Sequence, residues 1–438
     1  MKRIKIKDNY VYLYFSKQKS YFRRLEKFLN KGYEITDSIH LCVEVKKDDK
    51  KYFLSFIDVE VNENIKKTLK GLDISYKLVK PNYQVSMLNS LASIRNYFGQ
   101  KSDYPLDANL EQYLDKKYQN IIVMLLDGMG ENILENNLPK DSFLKSHHAY
   151  TNTAIYPSTT AASTTATKSG LSPRRTGWLG WENYFSEVNK NLILFSGIEY
   201  KTDKPTGFNT YKVLPYQPFF HDLNVIGKII EPDFSKEFTF KETLNKSLDN
   251  LEKDKINVQY VYHTEPDGIM HKYGSYSEEA IKTLKAIDED LKEYVNKLPE
   301  NTLLIISADH GHTNVKPIDL YECNLINKML KRPPSNDSRC ITFCVKEEYK
   351  KIFPDIFKAL FGYAYQLHSA YDLLNQGFFG LINEETNPKV NDFLADYVAV
   401  GVNEYYFNYK GKNNHNFKSH HAGITADEMF VPVIIYRK

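Results

Sequence analysis

The chain has 438 residues, enough for one large α/β domain with appended units, and its 42% hydrophobic and 26% charged content suits a globular protein with a sizeable core. Its 58 Lys and Arg nearly balance 55 Asp and Glu, so a formal charge of +3 gives no reason to expect nucleic acid or an anionic membrane as a standing partner. Four cysteines without a CxxC pair exclude a disulfide framework; with no apolar run of bilayer length and no h-region in the first residues, a cytoplasmic location is expected.

Residues 1–80 are expected to form a small α+β domain. YVYLYF and IHLCVEV read as strands, YFRRLEKFLNKGY as an amphipathic helix ending near a Gly, and YFLSFIDVEV as a further alternating strand. KPNYQ, around Pro81, marks the junction to a catalytic domain over 81–438. There the apolar runs NIIVMLLDG, NLILFSG, VQYVYH and TLLIISADHG alternate with helical segments, which predicts an α/β fold whose mostly parallel sheet is sandwiched by helices. In such folds the chemistry gathers at the carboxyl ends of the strands. Between about 318 and 418, RPPSNDSR, a helical stretch around KKIFPDIFKALFGYAYQL, and NYKGKNNHNFK are expected to form an inserted cap or lid. Arg332 and Arg339 are its candidate phosphate or carboxylate contacts.

Residues able to bind a cation recur at the ends of these runs. Asp127 ends IIVMLLDGMG, where two glycines permit a tight turn. Asp267 and His271, four apart in EPDGIMHKYG, fall on one face of a helical turn. Asp309 and His310 end IISADHGH; neighbours on a regular strand point to opposite faces, so the chain must leave the strand there if both are ligands, and Gly311 permits it. His312 is read as an outer or incidental residue. His420 and His421 precede a Gly and the capping signature Thr425–Glu428. Each motif alone has a bland explanation as a turn, a helix cap or a loop. Together, mixed oxygen and nitrogen donors without Cys suit zinc or a similar divalent ion in a catalytic setting, and their number suits two ions serving phosphoryl transfer. The Thr-rich stretch YPSTTAASTTATKSG then supplies a hydroxyl nucleophile at the start of a helix, with the remaining hydroxyls as caps and scaffolding.

In this order, LLDG, PSTT, SGLSPRRTGWLG, EPDGIMHKYG, ADHG and HHAG resemble the motifs of the alkaline phosphatase superfamily, and within it the type I phosphodiesterase/nucleotide pyrophosphatase family, over roughly residues 85–438. The resemblance implies that fold and a metal-dependent phosphoric ester hydrolase acting on a small-molecule phosphate ester. It assigns the nucleophile to Thr160 rather than Thr159, because only Thr160 puts Gly170, Pro173, Gly177 and Gly180 in register with the family pattern. By the same carry-over Asp127, Thr160, Asp309 and His310 hold one ion and Asp267, His271 and His421 the other; zinc is expected, with manganese as the alternative. Attack by Thr160 is expected to give a phosphothreonine intermediate that water then hydrolyses.

Two positions depart from the family pattern. Ala161 and Ala162 stand where the nucleotide enzymes have an aromatic residue and Pro, and Trp181 stands where an Asn steadies the phosphoryl oxygen. Candidate substitutes for that Asn are the indoles of Trp178 and Trp181 and the displaced Asn183. A phosphodiesterase is therefore expected, with a phosphomonoesterase of the same superfamily as the alternative. A catalytically silent binding protein is the reading from a different class. The sequence carries no signal for an oligomeric state.

Overall fold

Asn120–Leu126 is a strand of seven buried residues, and its alternate side chains meet two different layers. Ile122, Met124 and Leu126 share a core with Leu284, Ile287 and Leu291 of the long helix Glu278–Lys297, whereas Ile121, Val123 and Leu125 share one with Met87, Leu91 and Ile94 of the helix Met87–Tyr97. A strand covered on both faces has no polar side to alternate, which is why this run reads as continuous apolar sequence. The computed structural model describes residues 1–7, 10–39, 41–56, 76–235, 237–411 and 416–438. The end of YFLSFIDVEV and part of NYKGKNNHNFK lie outside these residues.

The strand sits third in a six-stranded sheet. The order is Ile226–Ile230, Asn257–His263, Asn120–Leu126, Thr302–Ser307, Phe430–Arg437 and His148–Thr153. The first four are mutually parallel. Phe430–Arg437 runs against both of its neighbours, so His148–Thr153 again points the common way. This is an α/β sandwich of the alkaline-phosphatase type, with a mostly parallel central sheet.

Register decides what the sheet presents. Leu126 is level with His263, and Leu125 with Ser307, so three strands end along one line, and Thr153 opposite Phe430 ends on the same side. The loops holding Asp127, Thr160, Asp267, Asp309 and His310 leave from this edge, and the chain carrying His421 arrives at it to begin the antiparallel strand.

The run NLILFSG departs from expectation. Lys190–Ile193 lies in a second, eight-stranded sheet, where it pairs antiparallel with Glu182–Phe185. Of its four residues only Leu192 is fully buried, a pattern that a short strand on a half-covered sheet shares with a loop. The segment 318–418 is likewise no closed insertion: its strands Ser335–Asn336, Cys340–Phe343, Tyr365–Ser369 and Tyr397–Gly401 complete this same sheet with those from 182–205.

Residues 2–55 form a five-stranded sheet with the helix Gln18–Leu29 against it. Its core continues into the 318–407 region: Phe22, Leu25, Val43 and Leu54 pack in one cluster with Ile326, Phe357, Phe361 and Phe407. Phe22 and Phe361 meet edge to face, ring centroids 6.2 Å apart. Phe22→Ala is expected to lower the stability of this joint core by about 3–5 kcal/mol, read as a lower urea midpoint for both the N-terminal sheet and the eight-stranded sheet. A transition confined to the N-terminal sheet would contradict a shared core.

Candidate active site

The helix Thr160–Ser169 begins where the strand His148–Thr153 has delivered the chain, with Thr159 as its N-cap residue and Gly170 (φ +71°) ending it. Its hydroxyls divide by partner. Thr164, Thr167 and Ser169 return theirs to the carbonyls of Thr160, Ser163 and Thr165, the usual fate of a mid-helix hydroxyl. Ser158 donates to Gly423 O and Thr159 to Asp337 Oδ2. Thr160 Oγ1 instead lies 3.5 Å from Asp127 Oδ1 and 3.4 Å from His310 Nε2, at the N-terminal end of a ten-residue helix whose amides favour an anion.

Around Thr160 the strand-end residues form two abutting clusters. Asp127, Asp309 and His310 make the first, with His310 Nε2 3.4 Å from Asp127 Oδ1 and 3.5 Å from Asp309 Oδ2. Asp309 Oδ1 accepts the N–H groups of Gly128 and His310, each at 3.0 Å, and Tyr262 donates its hydroxyl to Asp127 Oδ2. In the second, His271 Nε2 and His421 Nε2 stand 3.4 and 3.6 Å from Asp267 Oδ1. The rings of His310 and His421 stack at 3.8 Å across the boundary. Two glycines let the loops close: a Cβ on Gly311 would lie 2.0 Å from Asp427 O, and one on Gly130 would lie 2.4 Å from Gly311 Cα.

These clusters fit divalent cations. Burial first, then mutual repulsion and the charge of Asp267, pushes the Asp127 carboxyl well above its ordinary range; burial also raises Asp309, against the opposing effect of His310 and the Gly128 N–H and with Asp267 adding to it. Asp309 Oδ2 is buried and makes no hydrogen bond. For Asp267 burial opposes ionisation, but the facing His271, His312 and His310 outweigh it and hold the carboxylate below the usual range. Burial, and after it the crowding of neighbouring imidazoles, keeps His421 neutral and able to ligate. His420 differs: its Nδ1 accepts the His421 N–H at 2.8 Å, which leaves the hydrogen on Nε2 and favours His421 as the donor.

A cavity of about 320 Å³ opens beside Thr160, Asp267, His271 and His421 and is walled by Trp181, Tyr200, Tyr409 and Phe417. A larger depression of about 710 Å³ near Arg175 and Glu384 contains none of the cluster residues. Of the three substitutes considered for the family Asn, only Trp181 lines the cavity, 42% exposed. Trp178 is fully buried with its indole N–H donated to Leu214 O at 3.0 Å, and Asn183 is buried away from the cavity lining. The two arginines lie elsewhere. Arg339 is buried in a two-pronged pair with Glu428, and Arg332 covers the Tyr184 ring.

Three residues of the site, Tyr262, Glu182 and Asp337, carried no recognisable motif, and the motif IISADHGH gave His312 only an outer role. Tyr262 acts on Asp127 from the adjacent strand, and His312 meets Asp267 Oδ1 at 2.6 Å. Glu182 and Asp337 are buried on the cavity wall, where burial pushes Glu182 well above its ordinary range and Asp337 to about 6. Tyr409 donates to Glu182 and Thr159 to Asp337, contacts 227 and 178 residues apart in sequence that no local pattern announces.

The sequence matches the family described as type I phosphodiesterase/nucleotide pyrophosphatase over residues 121–422. Over 236 residues the chain is 28% identical to venom phosphodiesterase 2 of Crotalus adamanteus, covering 48% of this chain and 29% of that protein. A venom phosphodiesterase of Crotalus durissus collilineatus is 28% identical over 217 residues, 44% of this chain and 26% of its own. The chain thus spans less than a third of the length of these curated relatives. Among solved structures, an inactive variant of murine ectonucleotide pyrophosphatase/phosphodiesterase 5 in complex with AMP superposes with a TM-score of 0.56 at 16% identity, over 74% of this chain and 88% of the other. Phosphonoacetate hydrolase from Sinorhizobium meliloti in complex with phosphonoformate gives 0.55 at 14%, over 73% and 90%. At these identities the likeness to both structures is one of fold.

Because Asp127 and Asp309 have raised pKa values, they hold protons at pH values where free carboxylates are ionised, and a cation must displace them. Zinc titration of chelated protein is therefore expected to release protons, and affinity to weaken as pH falls. Calorimetry in two buffers of different ionisation enthalpy measures this; identical heats in both would contradict it.

Proposed function

This chain belongs to the type I phosphodiesterase/nucleotide pyrophosphatase family, and on that premise we propose that it hydrolyses small-molecule phosphodiesters through a covalent phosphothreonine at Thr160. Support comes from the position of Thr160 Oγ1, which faces Asp127 and His310 while its neighbours' hydroxyls are spent elsewhere. Asp127, Asp309 and His310 with Thr160 would hold one divalent ion, and Asp267, His271 and His421 the other, zinc or manganese by donor type. Such ions, when bound, lower the pKa of a neighbouring hydroxyl and neutralise charge on phosphoryl oxygens.

The protein groups set the geometry of the reaction. Thr160 Oγ1 loses its proton on the Asp127 side and bonds to phosphorus as the bond to the leaving alcohol breaks. The helix amides behind Thr160 face the phosphoryl oxygens. Water then attacks the same phosphorus, restoring the Thr160 hydroxyl and releasing a phosphomonoester. Diesters are favoured because the cavity continues past Thr160 to Trp181, Tyr200, Tyr409 and Phe417, room for a second alcohol with an aromatic or apolar surface. The AMP held by the murine neighbour makes a nucleoside one candidate. A reducing, cytoplasmic setting belongs to the same proposal; in its support, Cys42, Cys323, Cys340 and Cys344 are all free.

The test is initial rates on bis-p-nitrophenyl phosphate, p-nitrophenyl phosphate and the p-nitrophenyl ester of a nucleoside monophosphate, with zinc or manganese returned to chelated protein. The diesters are expected to be preferred, and Thr160→Ala to lose about 10³-fold or more in kcat while keeping its fold. Near-normal turnover by Thr160→Ala would overturn the assignment of the nucleophile. Preference for the monoester would make the enzyme a phosphomonoesterase, and metal uptake without turnover on any ester would make it a binding protein.

A further inference from the structure

The strand Lys316–Asp319 pairs with Tyr405–Asn408 in parallel register, Asp319 level with Asn408, and the two make a sheet of their own. Lys316 sends its N–H to Glu404 O at 2.7 Å. Alternate residues of a parallel ladder turn their backbone groups to opposite edges, so Pro317 and Asp319 present theirs on the far side. A two-stranded ladder is marginal unless another element covers it. Here the cover comes from the N-terminal domain. Gln18, first residue of the helix Gln18–Leu29, donates its amide N–H to Pro317 O at 3.2 Å and accepts the Asp319 N–H at 2.8 Å. Both arms of one amide thus close the edge as a neighbouring strand would, while Ile318 between them packs into the core shared with Phe22 and Leu25.

This ladder carries one wall of the cavity beside Thr160. Asn408 donates its side-chain N–H to Asp319 Oδ1 at 3.0 Å, and the chain runs on directly into Tyr409 and Lys410, which both line the cavity. Tyr409 donates its hydroxyl to Glu182 Oε1 at 2.7 Å. Lys410 Nζ meets Asp203 Oδ1 at 2.7 Å and lies over the Tyr200 ring, 5.0 Å from its centroid. Glu182 belongs to the eight-stranded sheet, so the wall is held from two sides, by that sheet and by the N-terminal domain. Thr160 and the strand-end residues of the clusters are delivered by the central sheet instead.

We propose that the N-terminal domain sets this wall, with Gln18 as a positioning residue that acts through the two strands on Tyr409; the inference rests on the phosphodiesterase reading above. Its effect falls on the alcohol that the cavity receives and not on the reaction at phosphorus, so it belongs to KM rather than kcat.

Two esters with the same leaving group separate wall from chemistry: bis-p-nitrophenyl phosphate, whose second alcohol reaches the wall, and methyl p-nitrophenyl phosphate, whose second alcohol is too short. Gln18→Ala is expected to raise KM for the first about three- to tenfold, leaving kcat for both and KM for the second unchanged. Tyr409→Phe is expected to raise the same KM, and Gln18→Ala to add nothing on that background, because both changes act on one contact. Glu26→Gln breaks an exposed pair with Lys328 that joins the same two regions away from the ladder, and is expected to change neither ester. Equal KM rises for the two esters, additive effects in the double variant, or a like effect of Glu26→Gln would overturn the proposal. The same cycle is read as calorimetric binding of bis-p-nitrophenyl phosphate to zinc-loaded Thr160→Ala protein. Non-additive binding with no turnover by the native protein would sustain the role of Gln18 and overturn the hydrolase reading alone.

Discussion

The carboxylates of Asp127 and Asp309 are buried, that of Asp267 nearly so, and among the described residues no Lys or Arg pairs with any of them. Taking a carboxylate out of water is expensive unless it is paired, and the imidazoles facing these three are themselves kept neutral by burial in the cases of His312 and His421. The site is thus short of positive charge by construction. Burial first, and with it this shortage, raises the pKa values at Asp127 and Asp309, and one Asp309 oxygen is left without a hydrogen bond. A fold whose strands end in level register is what makes such crowding possible: a one-residue slip of Asn257–His263 or Thr302–Ser307 against Asn120–Leu126 would send alternate residues to the opposite face and scatter the clusters.

How much of this was legible in the sequence follows from how local each signal is. Strands of the central sheet were readable because burial on both faces writes an unbroken apolar run, as in Asn120–Leu126 and Thr302–Ser307. The eight-stranded sheet was not, since its strands are two to five residues long and come from both 182–205 and 335–401. Its two halves are separated by three strands of the central sheet, and no window of sequence contains the pairing. NLILFSG carried the right composition for a strand and no information about which sheet it joins.

The same distinction applies within the site. Asp267 and His271 are one helical turn apart, and Asp309 and His310 are adjacent, so spacing alone suggested shared ligation. The placing of His312 against Asp267 involves Ser419, 107 residues away, whose hydroxyl meets His312 Nδ1 and reaches Met270 O. Between Trp178 and Trp181, three residues apart, sequence offered no choice. The structure does, because the aromatic cluster of Trp178 with Phe195, Tyr211 and Tyr216 absorbs the first indole into the core, while the second is left on the cavity wall.

Arg339 shows why the 318–418 segment is a wall rather than a swinging lid. Its guanidinium reaches from the eight-stranded sheet into the loop that follows His421, meeting Glu428 through Nε and Nη2, each at 2.7 Å. The same carboxylate accepts the N–H groups of Gly423 and Thr425 and the Thr425 hydroxyl. Asp337, two residues earlier, takes the hydroxyl of Thr159, next to Thr160. Breaking one partner out of a buried ion pair costs about 3–5 kcal/mol, so hinging this segment outward would strand Glu428 and release the backbone that positions His421 and Thr160. The segment is thereby fixed in place beside the cavity, where Trp181 is an exposed wall residue.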